Sequence, residues 1–401
     1  MKKVLLGTLA VLTLAACSKD EVVQQNPNDA ISFSIVTNKA VSRAHDGYCN
    51  KVLPGDFQVW AAAQGKVYFE NEKYVKITGT TTYKPEGSFS RYWPESGKVD
   101  FFATKNEKGT KHFVPTEGST SLSFTGYTVE NAVADQTDFI YAASKAVDKP
   151  DNGKADLYFR HALSQVEFKA RNENKKIYVV IEGVQVVNVN NSGDFTILEP
   201  TKNVWVDDTH SDNDAADDLS GDPGDPRSGY GLWSNQGGKQ SYEAIFTAVD
   251  LKGGAGTKEL TSYDDGAEFN TNTMYLIPQE LDRWAYSASG PAAAASDQNK
   301  SYFMVKALIY NMPTETSVPT DQVVVWGEKT ASDYVSKYIA VAIPSATTWE
   351  QGKRYVYTFV FTETGNGGYD PDNNKPVLTP ITLEVKIDDF VDAGNEDIDL
   401  K

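Results

Sequence analysis

Side chains able to do covalent or metal chemistry are few in this sequence of 401 residues. The spacings of common catalytic sites are absent: there is no His-Glu-x-x-His, Gly-x-Ser-x-Gly, Cys-x-x-Cys or Walker loop. The four histidines, His45, His112, His161 and His210, have no His, Cys or carboxylate partner at a metal-ligand spacing. We therefore predict a protein that is not an enzyme and has no cofactor or metal. A carboxylate pair for glycoside hydrolysis stays open because no spacing identifies one.

Two acidic segments come nearest to a calcium site. Asp370 and Asp372 occupy positions one and three of a calcium-binding loop, but Lys375 stands where the loop requires Gly and Ile381 where it requires Glu. That loop therefore fails as a calcium site. The acidic loop 207–226 is predicted to be solvated, and calcium binding there is left open.

Cys17 has the most informative surroundings in the sequence. Lys2 and Lys3 precede an apolar run, Val4–Ala16, that is too short to span a bilayer and ends in small residues, which is typical of an export signal. The sequence Leu-Ala-Ala directly before Cys17 resembles the lipobox of bacterial lipoproteins. This resemblance implies a diacylglyceryl group on the Cys17 sulfur, cleavage in front of it, and attachment to the outer membrane.

Charge and cysteine content limit the partners and the means of stabilisation. The formal charge is −17, and removal of residues 1–16 would make the chain more negative by two. Such an acid excess argues against nucleic acid as a partner and against electrostatic docking on anionic lipid. If Cys17 carries lipid, Cys49 is the one remaining cysteine, so no internal disulfide can form and the hydrophobic core must hold the protein together.

The pattern of apolar residues predicts an all-β protein. Ile31, Phe33 and Ile35 alternate with polar residues, as in a half-buried strand, and similar segments recur at short intervals between Gly- and Pro-containing turns. No stretch of twelve or more residues has a clean helical period. Together with the length, this pattern predicts antiparallel β-sandwich domains.

The sequence pattern divides the chain into four segments. They are a signal peptide at 1–16, a lipidated tether at 17–30, an N-terminal sandwich domain at 31–150 and a C-terminal sandwich domain at 151–401. The boundary near 150 rests on Asp148-Lys-Pro-Asp-Asn-Gly153, the clearest break in the pattern.

Several segments together resemble the fimbrillin family, the subunits of the chaperone-independent type V pili of Bacteroidales. The residues that carry the resemblance are the lipobox, the strand Ile31–Val36 leading to Arg43, the segments Asp138–Ala142 and Phe159–Phe168, and Gly365–Asp370 followed by Leu378–Phe390.

This resemblance implies a fold and a mode of assembly. The fold is two tandem transthyretin-like antiparallel sandwiches with Greek-key-type connections. An Arg-specific surface protease would cut between Arg43 and Ala44, in the loop after the first strand, and remove the leader segment 31–43, with the strand of Ile31, Phe33 and Ile35, together with the lipid. A strand from the C-terminal end of another pilin subunit would fill the gap. The candidate strand, donor or resident, has apolar residues at period two: Ile381, Leu383, Val385 and Ile387.

The function expected from these features is a structural subunit of an adhesive pilus on the cell outer membrane. A pilus anchor that keeps its lipid and a non-polymerising surface lipoprotein that binds glycan both stay open as alternatives. For contact with a host or bacterial glycan or protein, Trp93 and Trp233 are the tryptophans expected to be exposed. Trp60 and Trp326 lie within strand patterns and are expected in the core.

Overall fold

A computed structural model of the protein describes residues 30–35, 55–157, 159–197, 231–261, 272–285, 299–314, 322–343, 348–364, 367–373 and 375–389. In this part of the chain the structure consists of strands, turns and one short 3-10 turn at Val133–Asp135, with no α-helix. The all-β prediction is confirmed. The described residues include no helix that is long and apolar enough to cross a membrane.

The strands are named in chain order. They are β1 (Ser32–Ile35), β2 (Asp56–Ala63), β3 (Lys66–Lys76), β4 (Thr82–Pro85), β5 (Val99–Lys105), β6 (Thr110–Val114), β7 (Ser121–Thr128), β8 (Ile140–Val147), β9 (Lys154–Leu157), β10 (Arg160–His161), β11 (Ser164–Asn172), β12 (Ile177–Ile197), β13 (Gly231–Lys252), β14 (Lys258–Thr261), β15 (Met274–Leu276), β16 (Gln279–Glu280), β17 (Tyr302–Asn311), β18 (Val324–Trp326), β19 (Glu328–Lys329), β20 (Tyr334–Val335), β21 (Lys337–Val341), β22 (Thr348–Trp349), β23 (Lys353–Phe361), β24 (Gly367–Asp370) and β25 (Lys375–Asp389).

The first large sheet closes on itself. Its strand order is β10-β8-β5-β2-β3-β4-β1-β9. The two terminal strands, β9 and β10, are consecutive in the chain and separated by only two residues, so one segment pairs with β1 at one end and with β8 at the other. The result is a ring of strands in which the described residues leave β1 with a neighbour on each side.

Alternation along the strands gives this closed sheet an apolar interior and a second apolar face. Phe101 points into the interior and its neighbour Phe102 points outward, as the period of two along a strand requires. In the same way Trp60 of β2 and Tyr141 of β8 point outward and belong to the larger core, which the closed sheet shares with the second sheet. The wall formed by β8, β5 and β2 therefore packs on the rest of the molecule.

The second large sheet is built around two long strands. Its order is β14-β11-β23-β25-β24-β21-β17-β12-β7-β6, with β13 paired on β12, β15 on β11 and β18 on β17. Strands β12 and β13 pair antiparallel from Tyr178↔Lys252 to Ile197↔Gly231. The hairpin β6–β7 joins this sheet, because Leu122–Thr128 pair with Ser192–Ile197 of β12.

The sequence-derived domain boundary stays a prediction. Strands β9 and β10 follow residue 150 but complete the first sheet, whereas the hairpin β6–β7 precedes it but lies in the second sheet. The alternation in Leu157–Arg160 indicated strand structure without indicating which sheet it joins. The sequence of β4, Thr82-Tyr-Lys-Pro85, does not by itself predict a strand, because Lys84-Pro85 begins a turn-like segment that ends at Gly87.

Close packing explains the Gly-Gly-Tyr-Asp segment of β24. A methyl group on Gly368 would overlap the Ile339 side chain, and one on Gly367 would overlap the carbonyl oxygen of Val377. Tyr369 is fully buried and meets Trp284 edge to face, with 5.4 Å between ring centroids. The two glycines let β24 fit between β21 and β25, so this segment has a packing role.

We expect Gly368→Ala to lower the free energy of unfolding by about 1–3 kcal/mol, the usual cost of overfilling a packed core. Gly256→Ala is the matched control, because a methyl group there meets nothing within 4 Å. Its effect should stay within about 0.5 kcal/mol. Urea unfolding followed by tryptophan fluorescence measures both, and an unchanged midpoint for Gly368→Ala would contradict the described packing of β24.

Candidate functional site

Strand β1 occupies a slot inside the closed sheet. Along one edge it pairs antiparallel with β4, where Phe33 faces Tyr83 and Ser34 faces Thr82. Along the other edge it pairs parallel with β9, from Ser32↔Lys154 to Ile35↔Leu157. The main-chain donors and acceptors of an internal strand form hydrogen bonds with two neighbouring strands. Its loss would therefore expose two strand edges.

The sequence of β1 fits this position because its side chains alternate in polarity. Ile31, Phe33 and Ile35 are 1%, 0% and 7% exposed, respectively. Ser32 and Ser34 point the other way and are half-buried, and the Ser34 hydroxyl donates a hydrogen bond to Asp156 Oδ1 of β9. The predicted half-buried strand is present, with its apolar face in the core of the closed sheet.

Phe33 fills the deepest part of the slot. Its ring centroid lies 4.8 Å from that of Tyr74 and 5.1 Å from that of Phe101, in both cases edge to face. Phe57 is a third aromatic neighbour at 6.3 Å. Aromatic pairs in this geometry are more favourable than their buried area alone suggests. The pocket is therefore shaped for an aromatic side chain at the middle of the strand.

The N-terminal end of β1 is held by four residues, which we call the clasp: Arg91, Tyr92, Trp93 and Gly153. The Ile31 N–H donates to the Arg91 carbonyl at 2.6 Å, and the Ser32 N–H donates to the Gly153 carbonyl at 3.3 Å. The Trp93 indole N–H donates to the same Gly153 carbonyl at 3.0 Å. The clasp fixes the register of β1 and closes one end of its interior.

Trp93 was expected to be exposed, and this expectation is wrong. Its side chain is 7% exposed and packs edge to face on Phe101 at 5.6 Å. Trp233 is half-buried: its indole N–H donates to the Ala162 carbonyl at 2.7 Å and its ring packs against Phe195. Both indoles are held by interior contacts, because a large ring with one polar edge is well suited to join two core elements. Whether either touches a ligand stays untested.

The slot has the electrostatic character of a hydrophobic core. Burial raises the pKa of the Tyr83 hydroxyl to about 12 and raises the pKa of Tyr74 further. Both phenols are therefore neutral at physiological pH, so the walls present rings and aliphatic groups to the strand. The described residues contain no group of three or more His, Cys, Asp or Glu able to hold a metal ion. What this site can do is bind a strand.

The segment Phe159–Phe168 links the closed sheet to the second sheet. Phe159 points into the closed sheet, while Ala162 and Leu163 belong to the larger core. The His161 Nδ1 atom lies 2.7 Å from Asp138 Oδ2 at a position where the imidazole is 1% exposed. This buried contact connects two of the segments that carry the sequence resemblance, which assigns them a structural role at the junction.

The candidate C-terminal strand is resident in the second sheet. From Ile381 to Asp389, β25 pairs antiparallel with β23, and its apolar residues share a face with Phe361, Phe359, Tyr357 and Tyr355. Burial falls along the strand: Ile381 is 4% exposed, Leu383 is half-buried, and Val385 and Ile387 are 39% and 55% exposed. Its second half therefore carries apolar side chains that the described residues do not cover.

Other candidate positions lie outside the described residues or have structural contacts. Cys17, Arg43, Ala44 and the acidic loop 207–226 lie outside the described part of the chain. Asp370 of the failed calcium loop accepts hydrogen bonds from Lys337 Nζ at 2.8 Å and from Asn373 Nδ2 at 2.7 Å. A lysine ammonium thus occupies the place beside this carboxylate that a cation would take.

Sequence reasoning missed the walls of the slot. The clasp is formed by residues that read as turn or linker, whereas β9 lies at the start of the β-rich series predicted from Ala155 onward, where Ala155 and Leu157 alternate with polar residues in the manner of a short strand. That alternation was the available signal. The pairing of β9 with β1, about 120 residues earlier in the chain, had no local signal at all.

A family profile for fimbrillin-like proteins matches residues 43–389. The chain belongs to the fimbrillin-like family. The family resemblance inferred from the sequence is thereby confirmed, and membership supports a role as a pilus subunit at the cell surface.

Solved structures similar to this fimbrillin-like chain are remote in sequence. A candidate cell adhesion protein from Bacteroides uniformis ATCC 8492 is 10% identical, with 90% of this chain and 99% of that chain covered and a TM-score of 0.44. One from Bacteroides ovatus ATCC 8483 is 13% identical, with 90% and 97% covered and a TM-score of 0.42. The tip fimbrial protein Mfa3 from Porphyromonas gingivalis is 12% identical, with 89% and 99% covered and a TM-score of 0.33. Comparison with curated proteins finds no match.

We expect Phe33→Ala in the uncut chain to lower the free energy of unfolding by about 3–5 kcal/mol, because the slot cannot close around the missing ring. Ser32→Ala, on the opposite face of the same strand, should change it by less than about 0.5 kcal/mol. Urea unfolding of both variants measures the difference. Equal stability of the two variants would show that β1 does not occupy the slot.

Proposed function

We propose that this fimbrillin-like protein is a structural pilus subunit that polymerises when another subunit's strand replaces β1. The observation that carries the proposal is the position of β1 as an internal strand of a closed sheet, with both edges paired and its apolar face in the core. A closed sheet offers no free edge on which a partner strand could be added. A partner strand therefore enters only where a resident strand has left.

Removal of β1 would leave a binding site of considerable strength. Burial of Ile31, Phe33 and Ile35 contributes roughly 5–9 kcal/mol in total, at about 1.5–3 kcal/mol for each side chain. This sum is an upper bound, because a real unfolded chain already buries part of this surface. The edges of β4 and β9 would add main-chain hydrogen bonds to a new strand. An incoming strand would thus restore the hydrophobic burial and the main-chain hydrogen bonds that β1 contributed.

The slot also sets the features that a donor strand needs. The donor must run parallel to β9 and antiparallel to β4, with apolar side chains at every second position. Its central apolar residue meets the aromatic pocket that holds Phe33. Strand β25 offers the period of two in Ile381, Leu383, Val385 and Ile387 but no aromatic residue, so we infer that it fits the slot less well than β1.

The position of the slot allows β1 to leave without disturbing the junction. The wall of β8, β5 and β2 packs on the second sheet, whereas β1 and β4 lie on the far side of the ring. The outward residues of β1 are the serines Ser32 and Ser34, which belong to neither hydrophobic core. Loss of β1 would expose the interior of the closed sheet and leave the shared core in place.

Export and release complete the proposal. Lipid on Cys17 would hold the precursor at the outer membrane while β1 keeps its slot filled, so that no subunit exposes an open groove before assembly. An Arg-specific protease acting between Arg43 and Ala44 would then free the subunit from both the lipid and β1. If that cut does not occur, the protein keeps its anchor and serves at the base of a pilus.

We expect Arg43→Ala to keep the protein at the outer membrane as an uncut lipoprotein and to abolish its oligomers. Lys39→Ala, a basic residue in the same segment, is the matched control and should be processed normally. N-terminal sequencing of surface protein, together with unboiled gels after treatment with an Arg-specific protease, measures both outcomes. Recovery of an Ala44 N-terminus from Arg43→Ala would show that this cut does not require arginine and would contradict release by an Arg-specific protease.

We expect a chain that starts at Ala44 to bind a fluorescent peptide of residues 27–38. The Phe33→Ala peptide should bind at least ~100-fold more weakly, because about 3–5 kcal/mol of aromatic packing is lost. The Ser32→Ala peptide should bind within a few-fold of the native one. Fluorescence anisotropy measures all three. A chain from Ala44 that binds none of them and stays monomeric would contradict strand replacement.

A further inference from the structure

A groove of about 650 Å³ lies on the outer face of the second sheet, away from the slot. Its floor is formed by Glu182 of β12, Met304 and Lys306 of β17, and Tyr338 of β21. Strands β19 and β20 form one wall with Glu328 and Val335, and Asp372, in the turn after β24, forms the other. The groove is open and half polar, and its lining includes no residue of the two large hydrophobic cores, although Tyr302 and Met304 pack on the small cluster around Trp284.

The main-chain groups at the centre of the groove floor are already paired, so a ligand there would be recognised by side chains. Strand β17 pairs with β12 on one side and with β21 on the other along the groove, so its main-chain groups are engaged in the ladder. An extended peptide that binds by adding a strand needs unpaired main-chain groups at a sheet edge. Strand β17, at the centre of the floor, offers none. The ligand must instead be recognised by rings and polar side-chain groups.

Tyr338 is held in place at the centre of the groove. Its hydroxyl donates a hydrogen bond to Glu243 of β13, and Lys306 Nζ lies 5.9 Å from the centroid of its ring. The ring is half-exposed. Because these contacts already hold the Tyr338 side chain, it loses little conformational freedom when a flat apolar group packs on its ring. The small entropy loss favours binding.

Around the Tyr338 ring, the groove contains more carboxylates than ammonium groups. Lys337 is engaged by Asp370 at 2.8 Å and Asp372 at 3.0 Å, and its ammonium also lies 5.2 Å from the Trp326 ring centroid. These contacts neutralise its charge locally. Glu182 and Glu328 also line the groove and can act as hydrogen-bond acceptors. The local balance and the chain's net charge of −17 disfavour anionic ligands.

We propose that this groove binds a neutral glycan. A pyranose ring presents an apolar C–H face, which would pack on Tyr338 beside the Lys306 ammonium that lies over one face of the ring, and a rim of hydroxyls that donate to carboxylates such as Glu182 and Glu328. Lys306 supplies a donor to a ring or hydroxyl oxygen. The proposal does not depend on strand replacement, since the groove lies on the second sheet and includes no residue of β1, β4 or β9.

The test uses the full chain on an array of neutral oligosaccharides ending in glucose, galactose, mannose or N-acetylhexosamine, with sialylated and sulfated oligosaccharides and a lysine oligopeptide beside them. We expect saturable binding to a neutral oligosaccharide. Tyr338→Ala and Glu328→Gln should each weaken it at least tenfold. Glu95→Gln, the same substitution at an exposed position that precedes β5 and does not line the groove, should leave it unchanged.

Two controls keep the result interpretable. Tyr338→Phe keeps the ring and should retain most of the binding, whereas an unfolded variant would lose all of it, and thermal unfolding of each variant checks its folding. No binding to any neutral oligosaccharide would overturn the proposal. Preference for anionic glycans, for the lysine oligopeptide, or binding that Tyr338→Ala and Glu328→Gln leave unchanged would overturn it as well.

Discussion

The first sheet depends on the pairing of β1 with β4 and β9. These two strands reach each other only through β1, so three alternating apolar side chains and two ladders close the ring. An open sheet can gain a strand at its edge without losing one, but a closed sheet cannot. Under the proposed assembly, the contacts that complete the fold would therefore make exchange a replacement of β1 by another strand.

The shared core lies on the wall of the closed sheet opposite β1. Trp60, Phe102 and Tyr141 leave the closed sheet on its outer face and pack with residues of the second sheet. The hairpin β6–β7 and the segment around His161 cross between the two sheets. Because these links lie on β8, β5 and β2 and on the hairpin, the junction does not rely on β1.

The strands of the second sheet differ in how tightly they are packed and in how far their side chains are exposed. Strand β24 fits only because Gly367 and Gly368 lack side chains, whereas the distal part of β25 leaves Val385 and Ile387 exposed. Beyond β24, the outer face of β21, β17 and β12 presents a groove of mixed polarity around Tyr338. One sheet thus combines a tightly packed strand, an internal strand with exposed apolar residues and an open groove. Its inner face meanwhile forms the core that supports the closed sheet.

The sequence by itself determined the fold class, the existence and inward face of β1, and the family. Alternation of apolar residues is a local property of a strand, so the residue types of Ile31, Phe33 and Ile35 are enough to assign them to one face. Export, lipid attachment at Cys17 and cleavage at Arg43 were inferred from local sequence and remain proposals.

Only the tertiary structure decided which strands meet. No local pattern shows that β9 would pair with a strand about 120 residues earlier, that Trp93 would bond to Gly153, or that β6–β7 would join the far sheet. Alternation gives each strand a face but leaves both of its edges unspecified. Neighbours are chosen by the packing of the whole core, because main-chain hydrogen bonds are the same for every sequence.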